Sequence, residues 1–304
     1  MSEKPPATLA EPGKPLVSVV IPTKNRPDSL NRLLLSIGRQ DYQTLELIIV
    51  DDGSDVPVEV AAPNVSDLYL IRNRESRGPC YARNQGIDMA HGEFILFLDD
   101  DVELKDQDTI ARAVNLLTEH DDCGLIGFRQ LQSDGQPHYM QPASLDQSCY
   151  TSIFFGYGFV LRKRAVIEVG RFNPLIGFYY EENELSLRLI KAGYKIIYDP
   201  ALSVIHHHDQ RGRDSRRMHR LVLRNSILTA LLHLPAWCIP PQVVVRLIHF
   251  MRLSHADQGL DWKGIGWVWR ELKGSSSYVK KNRRAMGLKT LLSFRRLHRS
   301  PVVI

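Results

Sequence analysis

The sequence predicts an α/β fold, a mainly parallel sheet flanked by helices, with a basic helical extension at its C-terminal end. Three observations carry this expectation. Short apolar runs alternate with segments of helical spacing through the first half of the chain. Two of those runs stop abruptly at acidic clusters, Asp51/Asp52 and Asp99 to Asp101. Charge is also segregated: of 39 Lys and Arg and 34 Asp and Glu, 19 basic and 5 acidic residues lie from His206 onward, leaving 20 and 29 before it.

Taken in order, residues 1–14 are rich in proline and lack periodic apolar positions, so they are expected to form a flexible leader, without the apolar core of a signal peptide. A domain over 15–210 follows, then a basic helical region over 211–304. Leu16 to Ile21 is a β-branched run ending at Pro22, and Asp28 to Arg39 repeats Leu30, Leu33, Leu34 and Ile37 at helical spacing. Leu45 to Val50 is an almost continuous apolar run, as expected of a strand buried on both faces. Further strands are expected at Leu68 to Arg72, Glu93 to Leu98, Leu125 to Gln130, Phe154 to Leu161 and Lys195 to Tyr198, with helices over Gly78 to Ala90 and from Glu182. In a parallel sheet, ligands sit beyond the carboxyl ends of the strands, so the two acidic clusters can converge.

From Arg216 the chain reads as helical. Ser226 to Val245 carries no formal charge and approaches the length of a membrane span, but Pro235, Pro240 and Pro241 interrupt it. An amphipathic helix pair packed on the domain, with peripheral contact to an anionic membrane, is expected instead. Cys80, Cys123, Cys149 and Cys238 are widely spaced, which argues against a disulfide framework or zinc site and fits a reducing, cytoplasmic setting.

Three motifs carry chemistry. In FLDDDVEL, three carboxylates at the end of a buried strand repel one another unless a cation compensates them, and oxygen ligands favour Mn²⁺ or Mg²⁺; a solvated acidic turn is the bland alternative. In GFYYEENELSLRLIKAGY, Glu181, Glu182 and Glu184 open a helix, where acids are ordinary dipole partners, yet Gly177 and three aromatics precede them and suggest a shaped pocket. In VIHHHDQRGRD, adjacent residues of a strand face opposite ways, which favours His206 as a metal ligand with His208 in reserve.

VVIPTKNRPDSLNRLLLSI, ELIIVDDGS, RGPCYARNQGIDMAHGEFILFLDDDV, GFYYEENELSLRLIKAGYKIIYDP and VIH, in that order, resemble the successive signatures of family 2 glycosyltransferases. The resemblance implies a GT-A (Rossmann-like) domain that transfers a sugar with inversion from a nucleotide-diphosphate sugar, UDP- or dTDP-linked, to a glycan or lipid-linked acceptor. It places Pro22, Thr23, Asn25 and Arg26 against the nucleotide, with Asp51 on the base, Asp52 supporting it and Arg83 near the ribose or diphosphate. Asp99 and Asp100 would join the nucleotide-sugar contacts, and Asp101, Asp99 and His206 would hold a divalent cation. Glu182 takes the general-base position, where many members have aspartate, and Glu181, Glu184 and Tyr180 fall on the acceptor side.

A nucleotidyltransferase is the nearest rival, but the first loop, PTKNRPDS, lacks the Gly-rich entry such enzymes use. A non-catalytic anionic-surface or nucleic-acid module could use Arg211, Arg213, Arg216, Arg217, Arg220 and the Lys280 to Arg284 group; no nucleic-acid motif accompanies them, so no nucleic-acid partner is expected.

Overall fold

The computed structural model describes residues 13–60, 67–144, 146–208 and 214–304, with the backbone alone for 256–258. Most of the expected leader, and Arg211 and Arg213, lie outside the described residues.

The elements are β1 (Val17–Thr23), α1 (Pro27–Ile37), β2 (Leu45–Asp51), β3 (Asp67–Arg72), α2 (Pro79–Met89), β4 (Phe94–Leu98), β5 (Val102–Leu104), α3 (Thr109–Glu119), β6 (Cys123–Leu131), β7 (Cys149–Thr151), β8 (Gly158–Arg162), α4 (Lys163–Glu168), α5 (Glu181–Lys191) and β9 (Lys195–His206). Then come α6 (Ser215–His233), α7 (Ile239–Gln258), α8 (Trp262–Gly274), α9 (Ser276–Asn282), α10 (Leu288–Arg299) and β10 (Val302–Val303). All described strands join one sheet in the order β10-β7-β9-β6-β8-β4-β1-β2-β3, with β5 pairing β9.

The half β3-β2-β1-β4 is parallel throughout, as the alternating pattern predicts. The other half is mixed: β8 runs antiparallel to β4 and β6, whereas β9 is parallel to β6. Among the described residues no helix separates β6 from β8, which removes the crossover that a parallel neighbour requires.

Alternation along β1 and β2 builds a core on each face. Val17, Val19, Ile21, Leu47 and Ile49 pack with Leu30, Leu33 and Leu34 of α1 and with Ile110 and Leu117 of α3. Val20, Ile48 and Val50 pack on the opposite side with Cys80 and Ile87 of α2 and with Leu185 and Leu189 of α5. Contact between α2 and β1 is close enough to need glycine: a Cβ on Gly86 would lie 2.2 Å from Val20 Cγ1.

The structure departs from the sequence reading at several places. The run from Phe154 begins its strand only at Gly158, leaving a loop over 154–157, and β9 continues past Asp199 and Pro200 to His206. The helix α3 repeats Ile110, Ala113, Val114 and Leu117 at helical spacing, a signal the sequence reading passed over, whereas β5 and β7, three residues each, are too short to show a period. All four cysteines are buried and unpaired.

The C-terminal helices pack on the sheet domain. Leu223, Ile227 and Leu228 of α6 join Phe250 of α7, Val268 and Leu272 of α8, and Ile176. Ala230 and Leu234 meet Leu187 of α5. The chain breaks at Leu234 and Pro235 between α6 and α7, and no helix among the described residues is long and apolar enough to cross a membrane.

Candidate active site

Parallel strands β1, β2 and β4 end side by side, so Thr23, Asp51 and the Asp99–Asp101 triplet meet at one sheet edge. Thr23 Oγ1 donates to Asp100 Oδ2 at 2.7 Å, and Arg26 Nη1 lies 2.9 Å from Asp100 Oδ1 and 3.5 Å from Asp101 Oδ2. Burial raises Asp100 to about 6 against the opposing charge of Arg26. Asp100 therefore points back into the protein and ties the β1 loop to the triplet.

The other two carboxylates face differently. Asp99 is 37% exposed and accepts from Arg83 Nη2 at 3.2 Å. Asp101 is 2% exposed, with Oδ1 3.1 Å from His206 Nε2. Neither ring nitrogen of His206 has a hydrogen-bond partner, although both are buried. A buried imidazole nitrogen aimed at a carboxylate oxygen without hydrogen-bond geometry is the donor arrangement that a divalent cation completes. Asp101 and His206, with Asp99 at the open side, therefore fit such an ion, though no cluster of three candidate ligands is already assembled among the described residues. His206 stacks on His208 at 4.0 Å, and His208 reaches Gln130, whereas His207 turns the other way to Glu103.

At the end of β2, Asp51 Oδ1 accepts from the Ser54 amide at 2.8 Å, while Oδ2 is buried without a hydrogen-bond partner, 3.6 Å from Arg72 Nε. That open acceptor suits an imide N–H. Asp52 is used differently: it accepts from Asn73, from Ser76 Oγ and from the amides of Arg77 and Gly78, which hold its carboxyl below the usual range despite burial. It fastens the loop leading into α2 and has no capacity left for a nucleotide. Asn25, at φ 56°, likewise exchanges hydrogen bonds with Asp55 and donates its amide to Ser54 Oγ, clamping the β1 and β2 loops together. Pro22 lies within β1.

Glu182 is partly exposed, and its Oε1 accepts from the Gly156 amide at 3.1 Å. Burial, then the neighbouring charge of Glu181, raises its carboxyl well above the ordinary range, with Arg83 opposing. A Cβ on Gly156 would sit 2.8 Å from both Glu182 Oε1 and Arg83 Nη2, so a larger residue there would displace the ends of those two side chains.

The residues around Glu182 have partners within the protein. Arg83 is 4% exposed and spans Glu181 Oε1 (2.9 Å), Asp99 and the Gly156 carbonyl, so it crosslinks the base loop to the acidic triplet rather than reaching for the ligand. Glu181 is thereby buried away from any acceptor. Glu184 is 1% exposed, bonded to Arg188 and to His233 Nε2, and held at about 2 by these partners despite burial. Tyr180 directs its hydroxyl to Arg246 of α7. Positions 181, 184, 185 and 188 share one helix face, and Leu185 marks that face as core; Glu182 lies off it. The spacing held this signal.

Sequence reasoning missed Asn225. Its amide, 0% exposed, donates to the carbonyls of Ile176, Phe178 and Tyr179 at 2.7–2.9 Å, and Arg224 Nη1 reaches the Leu175 carbonyl. Tyr179 and Tyr180 both adopt positive φ, 62° and 75°, an unfavourable pair for non-glycine residues that this clamp supports. Asn225→Ala is expected to release the loop and lower kcat by about 10²-fold, the scale of a 1 Å misplacement, with nucleotide affinity retained. Single-turnover rates beside nucleotide titration check this, and equal losses in both would count against it.

A sheet whose parallel half ends in an acidic triplet, with helices packed on both faces, is the arrangement of a GT-A transferase. The chain matches the family model "Glycosyl transferase family 2" over residues 18–173, just over half its length, and belongs to that family. It is 37% identical over 116 residues to a PGL/p-HBAD biosynthesis glycosyltransferase of Mycobacterium bovis, covering 37% of this chain and 45% of the relative. It is 38% identical over 95 residues to the GalNAc(5)-diNAcBac-PP-undecaprenol beta-1,3-glucosyltransferase of Campylobacter jejuni, covering 30% and 31%. The chain thus spans less than half the length of these relatives. In fold it is similar to mannosyltransferase PcManGT of Pyrobaculum calidifontis, solved with GDP-Man and Mn²⁺: TM-score 0.55, 17% identity, 95% of this chain and 82% of that one.

Proposed function

We propose that the protein is an inverting glycosyltransferase that moves a sugar from a nucleotide-diphosphate sugar to an acceptor hydroxyl in glycoconjugate biosynthesis. The observation that carries the reading is Glu182, a carboxylate of raised proton affinity facing the loop at Gly156, with Arg83 linking its neighbour Glu181 to Asp99.

Glu182 takes the proton from the acceptor hydroxyl as that oxygen attacks the anomeric carbon, and the sugar–phosphate bond breaks on the opposite face. No covalent intermediate is needed, and configuration inverts. Asp51 Oδ2 accepts from the imide N–H of uracil or thymine, a donor that cytosine and adenine lack. Asp101, His206 and Asp99 would hold Mn²⁺ or Mg²⁺, which supplies Lewis-acid compensation for charge on the departing diphosphate. Asp100, Asp52 and Arg83 keep these groups in register through the bonds described above.

The relatives support a lipid-linked acceptor, since one is named for a polyprenyl-diphosphate-linked glycan. Calorimetric titration of UDP, dTDP and CDP with and without Mn²⁺ tests the donor side. Metal-dependent binding of UDP or dTDP at least roughly tenfold tighter than CDP is expected, the scale set by one buried hydrogen bond to the base. Equal affinity for all three would remove Asp51 from base recognition.

A further inference from the structure

We infer that the outward faces of α7 and α8 form a docking surface for an anionic lipid bilayer. All four tryptophans of the chain lie between residues 237 and 269, and three are solvent-exposed: Trp237 at 64%, Trp262 at 66% and Trp269 at 48%. On α8, Trp262 and Trp269 are seven residues apart, as are Lys263 and Arg270, and Lys273 continues the same face. The opposite side of that helix, Val268 and Leu272, is already buried against α6. The aromatic residues on the outer face are thus surplus to folding.

The outer face of α7 has the same character, with Val244, Val245 and Ile248 exposed ahead of Arg252. Clusters of exposed apolar side chains rimmed by cations, with tryptophan among them, match a headgroup region, where indole and aliphatic groups enter the interface and lysine and arginine meet phosphate.

Charge selects the partner. Along α7 to α10 eleven Lys and Arg are exposed: Arg252, Lys263, Arg270 and Lys273 on the two helices, and seven more from Lys280 to Arg299. The acids described there do not offset them, because Asp261 is bonded to Arg220 and Glu271 lies beside Arg224. Phosphates of a nucleic acid would satisfy the cations but leave Val244, Val245 and Ile248 without a partner; a bilayer satisfies both. The surface also adjoins the loop ahead of Glu182, since Arg246 of α7 bonds the Tyr180 hydroxyl. A hydroxyl at the membrane interface would be presented beside the base.

The test is flotation of the full chain with phosphatidylcholine vesicles and with vesicles containing phosphatidylglycerol, at low and high salt. Binding is expected to the anionic vesicles, falling as salt rises. Trp262→Ala/Trp269→Ala and Lys263→Glu/Arg270→Glu/Lys273→Glu should each weaken it at least roughly tenfold, with circular dichroism and UDP binding unchanged. Absence of binding to anionic vesicles, or binding indifferent to both sets of substitutions, overturns the inference. So does displacement of the protein from vesicles by low concentrations of oligonucleotide, or burial of both tryptophans in a dimer of this chain. None of these results bears on nucleotide binding, so the transfer reading stands or falls separately.

Discussion

Glu182→Gln is expected to lower the transfer rate by roughly 10²- to 10⁴-fold, the usual contribution of a positioned general base, while nucleotide affinity stays within about twofold. Glutamine preserves the shape of the side chain and can still accept from the Gly156 amide, so the 154–157 loop and Arg83 should keep their places. The pH dependence gives a second reading of the same group. The raised carboxyl must be ionised to act, so kcat/KM should be lost as pH falls through a value well above the ordinary 4.5. Stability runs the opposite way. Between 4.5 and the raised value the folded chain holds a proton that the unfolded chain has released, so folding weakens as pH rises through that window. Glu182→Gln should flatten this slope, and thermal melts of both proteins across pH would show it. A full-rate Gln variant would end the assignment of Glu182 as the base.

The second large effect is expected at Asp101. Removing its carboxylate in Asp101→Ala leaves His206 Nε2 without the oxygen that lies 3.1 Å from it and takes one charge from the triplet. Metal-dependent nucleotide affinity should be lost, and kcat/KM should fall by at least about 10²-fold, consistent with several kcal/mol of charge compensation. Asp100→Ala provides the contrast. It cuts the tie to Thr23 and Arg26, so its effect should be greater on melting temperature than on metal dependence. If the two variants lost Mn²⁺ dependence equally, Asp101 would have no special place in the cation site.

The strands β1, β2 and β4 of the parallel half were legible because they are nearly continuous apolar runs with abrupt polar ends, and burial on both faces demands that pattern. The triplet at the end of β4 was legible for the same reason. What could not be read was the division of labour inside each cluster. Asp51 and Asp52, or Asp99, Asp100 and Asp101, look alike in sequence, and only strand register decides which carboxylate turns outward. The burial of Glu181 and Glu184 could not be read from an acid-rich helix start, because the cations and imidazole that compensate them, Arg83, Arg188 and His233, come mostly from other elements. Asn225 was invisible: its three acceptors lie 46 to 49 residues earlier in the chain, and no local pattern announces such a reach.

That reach has a consequence for the order of events as the chain folds. The groups proposed to hold the donor and its cation lie between Thr23 and His206, all ahead of α6 in the chain, so that side of the site can be complete before α6 is made. The loop ahead of Glu182 receives its clamp only once α6 has emerged and docked. During synthesis, therefore, the chain passes through a stage at which it is built to hold a donor but not to discharge it.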